Sequence, residues 1–196
     1  MKYLKMVIIG SSIALILLVA AFFVISKADQ SRGNLPKLYQ LPDFTFTERN
    51  GEPFGLTDMK GKVSIVDFIF TNCPGPCPMM SSKMADLYET YAGSKQVKFV
   101  SISVDPARDS LDALREYALS YGVSDDRWVF LRAPIDSVIS LYESGFKLGG
   151  LLPVEHSTKF ILVDEDGVIR GYYSSDDDIS LNIMKTHIRE LVLGTR

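Results

Sequence analysis

Residues 63–78 read VSIVDFIFTNCPGPCP and join an apolar run to a pair of cysteines. The run is interrupted only by Asp67 and by small hydroxyl residues, which is typical of a central strand covered on both faces. Pro74 disfavours helical geometry at the cysteine before it, whereas Pro78 suits the first position of a helix and makes Cys77 its N-cap. The pattern predicts a cysteine-bearing turn at the carboxyl end of a strand, where α/β folds place their sites.

The two cysteines of this stretch are the only ones in the chain. As an N-cap, Cys77 would face unpaired backbone N–H groups and the positive end of the helix dipole, so we predict a lowered thiol pKa. The resulting thiolate binds soft metals and attacks disulfides. A structural disulfide between Cys73 and Cys77 is the alternative, but closing so short a loop removes little entropy from the unfolded chain. Metal or redox chemistry is therefore favoured.

Composition limits the remaining function classes. The chain has 196 residues, of which 46% are hydrophobic and 23% charged, which is enough for one domain with a full core. The formal net charge is −3, and no dense cluster of lysine or arginine is present. We therefore predict that the protein does not bind nucleic acid.

The N-terminus predicts a membrane anchor. Residues 6–25 are uncharged and almost wholly apolar, and they follow Lys2 and Lys5. Such a run spans the hydrocarbon core, and the lysines place the N-terminus in the cytoplasm. We expect a single pass through a bacterial cytoplasmic membrane with the following domain on its outer face; a signal peptide cleaved after residue 28 is the alternative. The predicted divisions are an anchor (1–26), a tether (27–40) and one domain (41–196).

The rest of the chain alternates strands with helices. Residues 41–58 alternate apolar and polar side chains around Asn50-Gly51, which predicts a β-hairpin. Asp109-Ser110 predicts a helix start. The predicted order is an α/β plan with a mixed sheet flanked by helices. The other predicted elements are strands at 63–70, 97–104, 128–132, 157–163 and 168–173, and helices at 77–91, 110–121, 135–145 and 179–193.

Several segments together resemble the Sco/SenC/PrrC family of membrane-tethered copper chaperones, over roughly residues 35–193. They are the cysteine-bearing segment 67–78, Ser103-Val104-Asp105-Pro106, and His156-Ser157 ahead of the apolar residues 160–163. The resemblance implies a thioredoxin-like fold of the peroxiredoxin-like variant. It also implies that Cys73, Cys77 and His156 bind one copper ion.

The chemistry of these three residues agrees with that implication. Two thiolates and an imidazole suit Cu(I), and Cu(II) would add an oxygen ligand. Two carboxylates are candidates for supporting roles. Asp67 either tunes the copper or thiol chemistry or is a hydrogen-bonded structural residue, and Glu155 is expected to orient the imidazole. The second histidine, His187, is expected to face solvent.

The family implies a role in assembling the copper centre of a haem–copper respiratory oxidase. The expected partners are the copper-receiving oxidase subunit, another copper chaperone and a thioredoxin-like reductant. The chain would then be a metallochaperone rather than an enzyme. A specialised thiol–disulfide oxidoreductase that reduces the cysteines of the copper target is the main alternative. A thiol peroxidase and a zinc site are two further ones.

Overall fold

The computed structural model describes residues 35–194, together with Leu15, Leu18 and Val19, which are helical. Most of the predicted anchor and the first part of the predicted tether lie outside the described residues. Among the residues that are described, no helix is both long and apolar enough to cross a bilayer.

The domain alternates strands and helices in the predicted order. Its strands are β1 (Tyr39–Gln40), β2 (Thr45–Glu48), β3 (Pro53–Gly55), β4 (Val63–Ile69), β5 (Val97–Ser103), β6 (Trp128–Arg132), β7 (Lys159–Val163) and β8 (Val168–Ser174). Its helices are α1 (Leu56–Met59), α2 (Cys77–Thr90), α3 (Leu111–Ser120), α4 (Ile135–Ser140) and α5 (Asp178–Gly194), with a π-helical turn at Leu141–Gly145.

The strands form one mixed sheet in the order β1-β8-β7-β4-β5-β6-β2-β3. The three central strands β4, β5 and β6 are parallel, and every other pairing is antiparallel. Every residue of β4 and of β5 is buried. The apolar run at residues 63–70 is thus the doubly covered central strand that its composition predicts.

The core consists of aromatic and branched side chains from the central strands and from the helices that cover them. The rings of Trp128, Phe99 and Tyr88 pack against one another, and the Trp128 ring stacks on Phe130 at a centroid distance of 5.1 Å. Phe68 makes edge-to-face contacts with aromatic rings of the π-helical turn and the residue after it. Because β4 is packed on both faces, the turn that follows it starts from a fixed position.

Three features were not predicted. Tyr39–Gln40 lies in the segment assigned to the tether, yet it pairs with β8 as an edge strand. Leu56–Met59 forms a short helix directly after the hairpin. The helix expected over 135–145 changes to π geometry at Leu141, a local feature that side-chain periodicity does not reveal and that is frequent at functional sites.

Candidate metal centre

Three side chains that are distant in sequence converge at the carboxyl end of β4. Ligand atoms of Cys73, Cys77 and His156 all lie within 4.8 Å of one another, and both cysteines are free thiols. The closest pair is Cys77 Sγ and His156 Nε2, at 3.3 Å. The structure therefore brings together the three residues that the sequence analysis assigned to one site. In the described part of the chain, they are the only such group of three potential metal ligands.

Cys77 is the buried sulfur of the site. The N-cap of α2 is Pro76, so Cys77 is the first helical residue rather than the predicted cap, and its side chain is fully buried. The predicted lowering of its pKa is wrong. Burial raises the pKa of the Cys77 thiol, and the neighbouring Cys73 and Asp67 raise it further. The loss of hydration outweighs the favourable helix terminus, because a buried thiolate has no water to stabilise it.

Cys73 is the accessible sulfur. It lies in the turn between β4 and α2, is only partly buried, and its Sγ accepts a hydrogen bond from the backbone N–H of Gly75 at 3.4 Å. Pro74 and Gly75 beside it are exposed. The two thiols are thus unequal: a group arriving from solvent meets Cys73 before it meets Cys77.

Asp109 fixes the turn that carries Cys73. Its fully buried carboxylate accepts hydrogen bonds from the backbone N–H and the hydroxyl of Thr71, at 3.1 and 2.6 Å, and from the hydroxyl of Ser103 at the end of β5. The sequence suggested only a helix-capping role here, and the cap is in fact Ser110, whose hydroxyl accepts from Ala113 N–H. No sequence signal indicated that Asp109 is buried and accepts from Thr71 and Ser103.

His156 is held by the segment that follows the π-helical turn. The Tyr142 hydroxyl accepts a hydrogen bond from Ser157 N–H at 2.7 Å and donates one to the carbonyl of Gly149 at 3.1 Å. The imidazole packs edge-to-face on Phe70 at a centroid distance of 5.6 Å. These contacts fix the histidine against the strand end that leads to the cysteines.

The imidazole is set up as a neutral ligand. Its Nδ1 lies 3.2 Å from the Ser157 carbonyl, which can only accept, so the proton belongs on Nδ1 and the lone pair of Nε2 faces Cys77. Burial lowers the pKa of His156 below its usual value. Backbone carbonyls orient metal-bound histidines in this way in many proteins.

Asp67 lies in a hydrogen-bonded network beneath the site. The Ser101 hydroxyl donates to its Oδ1 at 2.6 Å and accepts from the Trp128 indole at 2.9 Å. The other oxygen, Oδ2, is buried without a hydrogen-bond partner. Burial raises the pKa of Asp67 to about 7, despite the bond from Ser101. Both roles considered for Asp67 are therefore supported: it has a structural hydrogen-bond partner, and its charge raises the pKa of the Cys77 thiol.

Glu155 and His187 make contacts other than those predicted. The exposed Glu155 carboxylate accepts from Leu151 N–H at 3.3 Å, and the partner of the His156 imidazole is the Ser157 carbonyl instead. His187 is half-buried rather than solvent-facing, since its Nδ1 is hydrogen-bonded to the hydroxyl of Tyr173 at 2.6 Å.

We predict that Asp109→Ala loosens the cysteine turn. Thr71 and Ser103 would lose their shared acceptor, and buried donors left unpaired cost about 1–3 kcal/mol each. The free energy of unfolding should fall by a few kcal/mol, and alkylation of Cys73 in the folded protein should accelerate. Ser110→Ala is the matched control, because it removes the adjacent helix cap at a cost of about 1 kcal/mol. Equal rates of Cys73 alkylation in the two variants would contradict the role of Asp109 in holding the cysteine turn.

We predict that Asp67→Asn changes the pH dependence of stability. The folded-state pKa of about 7 exceeds the ordinary value of 3.8, so the wild-type protein loses stability as pH rises between these values. At about 1.4 kcal/mol per pKa unit, the loss is on the order of 4 kcal/mol at most. Asp67→Asn should therefore raise the free energy of unfolding at pH 8 and change it little at pH 4. Denaturant titrations at both pH values check this, with the exposed Asp136→Asn as control. Parallel profiles for Asp67→Asn and wild type would contradict it.

Comparison with known proteins identifies relatives across most of the described domain. The SCO1/SenC family model matches residues 34–192. A SCO1 protein homolog of Bacillus subtilis is 37% identical over 145 residues, which cover 70% of this chain and 75% of the relative.

Solved structures share the fold. BsSco, described as a member of the Sco family of cytochrome c oxidase assembly proteins, is 32% identical with a TM-score of 0.71, covering 81% of this chain and 96% of that one. Arabidopsis thaliana ScoI with copper bound is 21% identical with a TM-score of 0.65, covering 78% and 96%. These neighbours confirm the predicted thioredoxin-like α/β fold. The chain belongs to the SCO1/SenC family.

Proposed function

We propose that this protein binds one copper ion through Cys73, Cys77 and His156 and assists assembly of the copper centre of a haem–copper respiratory oxidase. The observation that carries the proposal is the convergence of two thiols and one neutral imidazole within 4.8 Å. Soft sulfur ligands with an imidazole suit copper, above all Cu(I). Two relatives support it: Arabidopsis ScoI has been solved with copper bound, and BsSco is described as belonging to a family of cytochrome c oxidase assembly proteins.

The unequal exposure of the ligands suggests how copper is passed on. Cys77 and His156 are buried and held by the helix start and by Tyr142, whereas Cys73 is reachable from outside. An incoming ligand from a partner would replace Cys73 first, and the two buried ligands would release the ion last. Copper binding also requires that both thiols give up their protons, so affinity should rise with pH.

Oxidation of the site would exclude copper. When Cys73 and Cys77 form a disulfide, two electrons and two protons pass to an oxidant, and both sulfur ligands are lost. Loading would therefore depend on a reductant outside the chain, which we propose to be thioredoxin-like. The copper source would be another copper chaperone. We further propose that residues 6–25 anchor the domain to the outer face of a bacterial cytoplasmic membrane.

A thiol–disulfide reductase that acts on the copper target is the second candidate. The pairing of an accessible Cys73 with a buried Cys77 favours it. Cys73 could attack a partner disulfide, and Cys77 could then resolve the mixed disulfide that forms. The buried carboxylate of Asp67 is available nearby as a proton acceptor. Only copper binding needs His156, and this separates the two candidates.

We predict that His156→Ala abolishes copper-dependent oxidase assembly in cells and lowers copper affinity, while the two cysteines still form and lose a disulfide. His187→Ala is the matched control, because His187 is the other histidine and bonds to Tyr173. Oxidase activity and copper content of membranes from strains carrying each variant measure the effect. Normal assembly with His156→Ala, together with failure of Cys73→Ser, would transfer the assignment to the reductase.

A further inference from the structure

An apolar groove is lined in part by the loop that leads to Asp109 and by the loop that leads to His156. Its volume is about 500 Å³, and it opens between the end of β5, the start of α4 and the loop that leads to His156. Most of its lining is apolar or proline, which suits a peptide segment rather than a small polar solute. The larger apolar lining residues are Val104, Pro106, Pro134, Ile135, Leu152 and Pro153.

Two walls of the groove belong to the loops that hold the metal ligands. On one side, Pro106 lies three residues before Asp109, which fixes the cysteine turn. On the other side, Pro153 lies three residues before His156. A segment seated in this groove would therefore contact the loop that leads to Asp109 and the loop that leads to His156.

The rim of the groove exposes large apolar side chains. Leu151 is 76% exposed and Val154 is 83% exposed, and both flank the groove residues Leu152 and Pro153. Ile135, at the start of α4, is 38% exposed on the opposite wall. Large exposed apolar patches mark interaction sites in soluble domains, and these three residues add exposed apolar surface on segments that line the groove.

The groove also contains a charged side chain, Arg132. The Arg132 guanidinium donates from Nη2 to the Pro106 carbonyl at 2.8 Å, and its Nε is buried without a hydrogen-bond partner. None of the ion pairs found among residues 35–194 involves Arg132. The nearby Asp105, which also lines the groove, is already paired with Arg108 at 3.0 Å. A carboxylate entering the groove would meet a guanidinium that forms no ion pair among the described residues.

We propose that this groove is the docking site for an extended apolar segment carrying a carboxylate, contributed by the protein that receives copper from this chain. The inference rests on the proposed function and adds the surface and the chemistry by which the partner is recognised. The apolar side chains would lie against Pro106, Ile135 and Leu152, and the carboxylate would pair with Arg132. Docking there would bring the partner's own ligands to the accessible Cys73.

Ile135 is the position to test. It lines the groove, it is not one of the three candidate metal ligands, and it takes no part in the hydrogen bonds that hold the cysteine turn and the His156 segment. We expect Ile135→Glu to slow copper transfer from the full-length protein to the copper-free oxidase subunit about tenfold, the scale of an interface hot spot. Ile135→Lys should slow it less, because lysine does not repel an acidic segment. Leu119→Glu on α3, where Leu119 is 71% exposed, is the control and should transfer copper at the wild-type rate.

Release of copper to a small Cu(I) chelator needs no docking and should be unchanged in every variant. A wild-type transfer rate in Ile135→Glu would overturn the docking site, while leaving the proposed function intact. Equal slowing by Ile135→Glu and Ile135→Lys would overturn the acidic character of the partner segment. If the wild-type protein itself transfers no copper to the subunit but releases it to the chelator, the proposed function fails instead.

Discussion

The metal centre depends on the buried carboxylate of Asp109. This single group ties the cysteine turn, through Thr71, to the end of the neighbouring parallel strand, through Ser103. A turn containing two prolines and a glycine has little regular hydrogen bonding of its own, so an outside acceptor has to define its shape. With the turn fixed, α2 begins at Cys77 and both sulfurs face the end of the sheet.

The His156 half of the centre is held by a different element from the cysteine half. His156 lies just before β7, the strand that is next to β4 in the sheet. Tyr142, on the π-helical turn, holds Ser157, and Phe70 at the end of β4 supports the imidazole of His156. The two halves are braced separately, and the contact between Cys77 Sγ and His156 Nε2 at 3.3 Å joins them. The resulting site has a dry side, formed by Cys77 and His156, and an accessible side, formed by Cys73. This asymmetry suits the directional transfer of an ion.

The sequence allowed prediction of most of the fold and of the three residues that converge at the candidate site, but not of their environment. The apolar run of β4 and the Asn50-Gly51 turn are local signals, and both predicted elements are present. His156 could be assigned only through the family resemblance, because its 79-residue separation from Cys77 is closed by tertiary packing. The pKa prediction for Cys77 was wrong for the same reason. A sequence can indicate that a cysteine lies at a helix start. Whether that cysteine is fully buried depends on side chains that are distant in the chain.

The proposed function requires that Cys73, Cys77 and His156 hold the same copper ion. The most direct test is X-ray absorption spectroscopy at the copper edge on the full-length protein loaded with one equivalent of Cu(I). We expect two sulfur ligands and one nitrogen ligand per copper, with the nitrogen lost in His156→Ala and retained in His187→Ala. A spectrum with two sulfurs that does not change in His156→Ala would contradict it.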